Sequence, residues 1–162
     1  MGLNTQNAHF AKVTRTTATL SIAVSGTPQV VPWEAIITAG NPFALWVVGS
    51  PNRITIQKNG WYLLAGGVTF AASATGDREI YFVKTGAGAY GRQTVKSATL
   101  ANPLATSTVL RLVRGDYIEL FVNQTSGGAL NIGMTAANED PYLSVSLIRP
   151  EYDFVTSEVF SG

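Results

Sequence analysis

Few residues in this chain could do chemistry. His9 is the only histidine and there is no cysteine, so a nucleophilic triad would have to run through His9, and transition-metal sites lack their usual ligands. Standing beside Phe10 in an alternating run, His9 reads as structural or exposed. Carboxylates are the other route to catalysis, as paired acid and base. There are ten acids: Glu34, Asp77, Glu79, Asp116, Glu119, Glu139, Asp140, Glu151, Asp153 and Glu158. Asp77 with Glu79, and Asp116 with Glu119, sit at the ends of strand-like runs, where charges solvate turns; spacing alone does not make either pair converge. Asn138-Glu139-Asp140 is the one local oxygen cluster that could serve calcium, which takes about six to eight oxygen ligands; a solvated loop before Pro141 is the simpler reading. Gly86, Gly88 and Gly91 do not join a strand to a helix as a phosphate cradle does, and Thr85 to Gly91 reads as a loop displaying Tyr90. Trp33, Trp46 and Trp61 have flat faces suited to sugar rings. Trp33 and Trp46 lie near Val31-Pro32 and Asn41-Pro42, so with Tyr90 they are the candidate ligand contacts on loops, set against core or interface packing. No catalytic, cofactor or metal residue emerges, and a non-enzyme is expected.

Composition narrows the classes further. The 162 residues carry a net charge of +1, with 46% hydrophobic and only 13% charged residues, against about 25% charged in an ordinary soluble domain. Disorder demands the opposite balance. A nucleic-acid binder clusters Lys and Arg, whereas here they are scattered singly from Lys12 to Arg149. The longest apolar stretches, Phe43 to Val48 and Trp61 to Ala65, fall far short of the roughly 20 residues of a membrane-spanning helix, so no membrane insertion is expected. Residues 1–7 lack the basic region and apolar core of a secretory leader. The chain is long enough for one domain with a core that needs no disulfide or metal.

The elements that must position these residues are strands. No window carries an apolar stripe at helical spacing, and short alternating runs are separated by turn residues. In Arg53 to Phe70, Ile54 and Ile56 alternate with polar residues, Lys58-Asn59-Gly60 supplies turn chemistry, and Tyr62, Leu64, Val68 and Phe70 share one face. Thr106 to Leu112 and Tyr117 to Gln124 form a second pair, joined by Val113 to Asp116, with Ile118, Leu120 and Val122 on one face and Tyr117, Glu119 and Phe121 on the other. Ala8 to Arg15, Ala18 to Val24, Glu79 to Lys84, Gln93 to Leu100, Leu130 to Met134 and Tyr142 to Arg149 complete the set. With eight to ten strands and no room for crossover helices, the expected fold is all-β, an antiparallel two-sheet jelly-roll sandwich. It spans residues 8–149, between an N-terminal arm (1–7) and a C-terminal tail (150–162). The tail alternates polar and apolar residues and reads as a segment needing a partner surface, through Tyr152, Phe154, Val155 and Phe160, or as a frayed terminus.

Alternation also leaves apolar residues over. If Tyr62, Leu64, Ile118, Leu120 and Val122 fill the core, Trp61, Leu63, Tyr117 and Phe121 point outward. Exposed apolar patches mark association sites, so these four are the expected subunit interface, unless loops or termini of the same chain cover them.

The segments Asn59-Gly60-Trp61-Tyr62-Leu63-Leu64, Val109 to Val122 and Tyr142 to Ile148 resemble the globular head of complement recognition proteins. That head belongs with tumour necrosis factor in one superfamily of ten-stranded jelly rolls. The most specific piece is the Leu112-x-x-Gly115-Asp116-x-Ile118 hairpin, with Gly60-x-Tyr62 upstream. Ala71 to Arg78 and Ser126 to Asn131 are similar to segments of bacteriophage structural proteins and bacterial surface proteins. The resemblance implies a homotrimer, and the scarcity of ligand residues leads to the expectation of no cofactor. The function expected is that of a non-enzymatic virion structural protein of a bacteriophage, of capsid-decoration or fibre-head type, whose partners are its own copies and other virion proteins. The alternative is a receptor- or glycan-binding module of a phage tail or bacterial surface protein, with a host-surface glycan as partner.

Overall fold

A computed structural model describes residues 10–16, 19–23, 26–38, 44–133 and 141–151. Within them lie thirteen strands: β1 (Phe10–Thr14), β2 (Leu20–Ile22), β3 (Gln29–Val30), β4 (Ala35–Thr38), β5 (Ala44–Leu45), β6 (Arg53–Ile56), β7 (Gly60–Phe70), β8 (Asp77–Lys84), β9 (Ala87–Lys96), β10 (Asn102–Leu112), β11 (Tyr117–Gln124), β12 (Leu130–Ile132) and β13 (Tyr142–Pro150). The first sheet runs β2-β12-β7-β13-β1-β4, with β10 also on β7; the second runs β5-β6-β11-β8-β9, with β3 on β11. Every pairing is antiparallel. The expected all-β, two-sheet jelly roll is therefore the fold, with the short strands β3, β4 and β5 added to those that alternation marked and with β9 and β10 starting earlier, at Ala87 and Asn102.

β7 organises the first sheet. All eleven of its residues pair with β10, from Gly60↔Leu112 to Phe70↔Asn102, so β13 and β12 share the other edge. Its alternate residues Tyr62, Leu64, Val68 and Phe70 are buried, and they meet Ile80, Phe82, Ile118, Leu120 and Val122 of the second sheet. Each such side chain contributes about 1.5–3 kcal/mol on burial. Gly66 falls on the same inward parity; a Cβ there would lie 2.9 Å from Leu120 Cδ1 and 3.1 Å from Phe82 Cε1. Glycine at that point lets the facing side chains reach the backbone of β7.

Two connections that look like hairpins in the sequence are not. β6 belongs to the second sheet and β7 to the first, so Lys58-Asn59-Gly60 carries the chain between sheets; β10 and β11 are likewise in different sheets. The physical reason is that the two corners bind each other. Ile56 N–H donates to Asp116 O (2.8 Å), Gly115 N–H donates to Ile56 O (2.9 Å), and Arg114 N–H donates to Asn59 Oδ1 (2.8 Å). Gly115 holds φ = +93° in this turn, a conformation open to glycine at no steric cost.

Asp116 locks the corner. Its carboxylate accepts Val113 N–H (2.9 Å) and the Thr85 hydroxyl (3.0 Å) and sits 3.0 Å from Lys84 Nζ. Burial alone would push its pKa up, but the Val113 N–H, Lys84 and Thr85 outweigh that and hold it below the usual carboxylate value. A carboxylate with a depressed folded-state pKa stabilises the fold fully above its unfolded value of about 3.9, and that stabilisation is lost as pH falls through the folded value. Asp116→Asn should therefore cost about 1–3 kcal/mol at neutral pH. Urea unfolding against pH checks this: the gap between variant and wild type should narrow as pH drops below about 4, and a gap independent of pH would refute the assignment.

Candidate interaction face

Among the described residues the acids do not converge. Glu34 pairs with Arg15 (3.0 Å), Asp116 with Lys84 (3.0 Å), Glu79 with Arg92, Asp77 with Lys96 (3.0 Å) and Glu151 with Arg111 (2.7 Å). Glu119 stands near Arg53; burial raises its pKa and the guanidinium opposes the rise. The two carboxylate pairs noted in the sequence are thus engaged by separate cations, and among the described residues no three His, Asp or Glu side chains group as metal ligands. His9, the Asn138-Glu139-Asp140 cluster, and Tyr152, Phe154, Val155 and Phe160 of the tail lie outside the described residues.

The aromatic residues assigned to ligand loops are placed differently from that expectation. Trp33 is 2% exposed and belongs to the core; the segment between β3 and β4 is held there by backbone bonds from Val31 N–H to Leu120 O (2.9 Å), Trp33 N–H to Pro51 O (2.9 Å) and Glu34 N–H to Thr14 O (3.0 Å). It is not presented to a ligand. Trp46 is half-buried against the core, its indole N–H donating to Pro51 O (3.0 Å). Tyr90 lies within β9, opposite Phe82, and packs on the core instead of standing out on a loop. The loop expected over Thr85 to Gly91 is in fact a turn at Thr85-Gly86 followed directly by strand.

The two outward pairs named together as the expected subunit interface fall on opposite sides of the sandwich. Tyr117 and Phe121, on β11, face out from the second sheet, where the chain's own side chains cover them. Phe121 stacks on Tyr81 with ring centroids 5.8 Å apart, the Arg92 guanidinium sits 4.5 Å over Tyr81, and that of Arg53 sits 4.6 Å over Tyr117. Stacking and cation–π contacts of this kind satisfy an aromatic surface without a partner subunit.

Trp61 and Leu63 face out from the first sheet, and there the surroundings are different. Antiparallel register places directly opposed residues on one face, so three rows can be read across the strands. Arg111, Trp61 and Arg149 form the first; Val109, Leu63, Ser146 and Phe10 the second; Ser107, Ala65, Ser144, Lys12 and Ile37 the third. Trp61 is 37% exposed, Leu63 40%, Val109 48% and Ile37 54%. Small residues fill the positions between them, and a shallow depression of about 340 Å³ lies over Ala65, Ala105, Ser107 and Tyr142. Tyr142 lies across Gly67, where a Cβ would come within 2.6 Å of its ring, and Lys12 Nζ sits 4.9 Å over that ring. Charge is confined to Lys12, Arg111 and Arg149. Arg111 is held by Glu151, and their mutual hydrogen bonding raises the arginine's pKa and lowers the carboxylate's. A bulge between Leu147 and Arg149 leaves Ile148 56% exposed beside this row. The result is a broad, weakly charged, largely apolar sheet face.

Val109 and Ile37 were not singled out in the sequence. A signal for Val109 was available: with Leu112 buried, position 109 is outward by parity. Ile37 follows Ile36 in a continuous apolar run, Ala35-Ile36-Ile37, in which alternation has no meaning.

The difference between the two outer faces is measurable in the folded chain. A double-mutant cycle on Tyr81→Ala and Phe121→Ala, followed by urea unfolding, should return a coupling of about 0.5–1.5 kcal/mol. A coupling within error of zero would mean that the stack does not hold the second sheet's outer face closed.

No family model matches the chain, and no curated protein matches it. Among solved structures, crystal structures of murine APRIL are similar. At pH 8.0 the TM-score is 0.57 at 16% identity, and at pH 5.0 it is 0.61 at 14% identity; each alignment covers 86% of this chain and 99% of the other. These identities speak to fold alone, and the fold that they share with this chain is the tumour necrosis factor-like jelly roll.

Proposed function

We propose that the protein is a non-enzymatic homotrimer whose copies associate through the outer face of the first sheet, and that it serves as a structural component of a bacteriophage particle, of capsid-decoration or fibre-head type. The observation that carries the trimer is the exposure of Trp61, Leu63 and Val109 on neighbouring rows of one sheet face, with Ile37 further along the same face, each more than a third exposed. Monomers rarely present a contiguous apolar area of that kind to water. Burying Trp61 and Leu63 alone would contribute several kcal/mol at about 25 cal/mol per Å², and lasting oligomer interfaces bury about 2,000 Å² or more of mostly apolar surface. The resemblance to the tumour necrosis factor superfamily favours closure at three. The low charge content fits as well, since a face covered by other copies needs little charge to stay soluble.

The particle role is supported by Ala71 to Arg78 and Ser126 to Asn131, which are similar to segments of bacteriophage structural proteins and of bacterial surface proteins, and by the pairing of Glu34, Asp77, Glu79, Asp116 and Glu151 with separate cations. A protein of this kind acts by shape: the sandwich supplies a rigid body, the first sheet binds its copies, and the loops and termini meet the particle.

Sedimentation equilibrium at micromolar concentration should give three times the chain mass. The double variant Trp61→Glu/Leu63→Glu should sediment as a single chain with an unchanged far-ultraviolet circular dichroism spectrum. A monomeric wild-type protein would overturn the trimer. Imaging of intact particles, at a resolution that traces the chain, should find three-fold clusters on the particle surface; particles lacking the protein would overturn the virion role.

A further inference from the structure

One carboxylate on the second sheet is left without a close partner. Of the six acids among the described residues, Glu34, Asp77, Glu79, Asp116 and Glu151 each sit in an ion pair, and Glu119 does not. Its register partner across the β6–β11 ladder is Arg53, so both side chains leave the sheet on the same side. The two feel each other's charge, yet neither side chain makes a hydrogen bond or close ion pair within the described residues. The Arg53 guanidinium is held 4.6 Å over the Tyr117 ring instead, with its Nε buried and unbonded. Burial pushes the Glu119 pKa up: the carboxylate has lost part of its water without gaining a donor in exchange.

These two groups face a prepared cleft. β6 runs beside β11 at Tyr117 to Glu119, and β3 pairs with β11 at Phe121 and Val122. Near that step Gly49, Ser50, Pro51 and Asn52 join Arg53 and Glu119 in lining a cleft of about 250 Å³. Its wall is already fixed. Ser50 N–H donates to Val47 O (2.9 Å), and Pro51 O accepts both the Trp33 N–H (2.9 Å) and the Trp46 indole N–H (3.0 Å). A wall held before a ligand arrives loses little conformational freedom on binding. The volume falls short of the roughly 300–1,000 Å³ of sites for drug-sized ligands, so the cleft suits a single small ring.

The lining selects the ligand's chemistry. Arg53 offers donors only, Glu119 acceptors only, and Asn52 and Ser50 both. A simple anion would meet the Glu119 charge and a simple cation that of Arg53. A zwitterion would have to surrender the hydration of two full charges, and an apolar ligand would leave the lining unpaired. A neutral ligand with adjacent hydroxyls avoids each of these costs, because every hydroxyl both donates and accepts. We infer that this cleft binds one ring of a neutral saccharide, one hydroxyl oxygen accepting from the Arg53 guanidinium and its neighbour on the ring donating to the Glu119 carboxylate. The site belongs to the second sheet, away from the face that joins the copies, and gives the protein a recognition function that does not depend on the trimer reading.

Saturation-transfer NMR on the full chain, titrated with the methyl glycosides of glucose, galactose and mannose, tests this. At least one glycoside should bind saturably with a dissociation constant of about 1–10 mM. Glu119→Gln, which keeps the shape and removes the charge, and Arg53→Lys, which keeps the charge and removes the planar fork, should each weaken that binding by about tenfold or more. The absence of saturable binding by all three glycosides would overturn the inference, as would saturable binding of glycine or acetate in their place. Glycoside binding that survives both substitutions would put the ligand elsewhere and overturn it too. Trp61→Glu/Leu63→Glu should bind the glycoside as the wild type does, and a loss of binding there would overturn the placement on the second sheet. A monomeric wild type that binds the glycoside would overturn the trimer reading and uphold this one.

Discussion

Strand β7 is hydrogen-bonded along its whole length on one edge and over most of it on the other, and that double pairing fixes which of its side chains face in. Tyr62, Leu64, Val68 and Phe70 have exposures of 0–4%, and a shift of register by one residue would drive Trp61, Leu63 and Ala65 into their places. Gly66 allows Leu120 and Phe82 to close against the strand at its centre. The outward direction of Trp61 and Leu63 is a consequence of this arrangement. The residues that give the molecule its interaction face are those which the core, already filled by their neighbours, has no place for.

The ends of the sandwich are held by polar groups whose satisfaction is local. At one end the β6–β7 and β10–β11 corners exchange backbone hydrogen bonds around Asp116. At the other, Arg78 is fully buried beside Phe70 and gives its terminal nitrogens to the carbonyls of Ser73, Thr75 and Asp77. Burial lowers its pKa, and Asp77 acts the other way. Across the β8–β11 pairing lies Gln124, whose amide nitrogen donates toward Ile22, Ala23 and Gly128 carbonyls and whose oxygen accepts Ser126 N–H. Buried polar groups are usually paired in this way, and of the Arg78 nitrogens only Nε lacks a hydrogen-bond partner. These two residues therefore tie three loops and β2 to the end of the sandwich.

The two outer faces show how a chain with little charge divides its surface. The second sheet closes its own aromatic residues under Arg53 and Arg92, with acids in reach of each guanidinium. The first sheet carries few cations, with Arg111 and Arg149 flanking Trp61 and Lys12 lying over Tyr142, and fills much of the field with alanine, serine and glycine between larger apolar side chains. A flat face of small residues suits close approach by a second protein surface, whereas the second sheet, already capped by extended arginines, suits contact with water.

The amino-acid order by itself determined the strand character, the inward parity of Tyr62, Leu64, Ile118, Leu120 and Val122, and the outward parity of Trp61 and Leu63, because a period of two is a property of the extended backbone and needs no partner to be visible. Tertiary structure alone decided which strands share a sheet. Lys58-Asn59-Gly60 and Val113 to Asp116 look like hairpin turns locally, yet become sheet-to-sheet corners through hydrogen bonds between residues about 60 positions apart. The same dependence on distant neighbours put Trp33 in the core, placed Tyr90 on a strand opposite Phe82, and set Phe121 under its own chain's stack while Trp61 stayed exposed. Parity tells a side chain which face it is on, but only the packed fold supplies what, if anything, stands over that face.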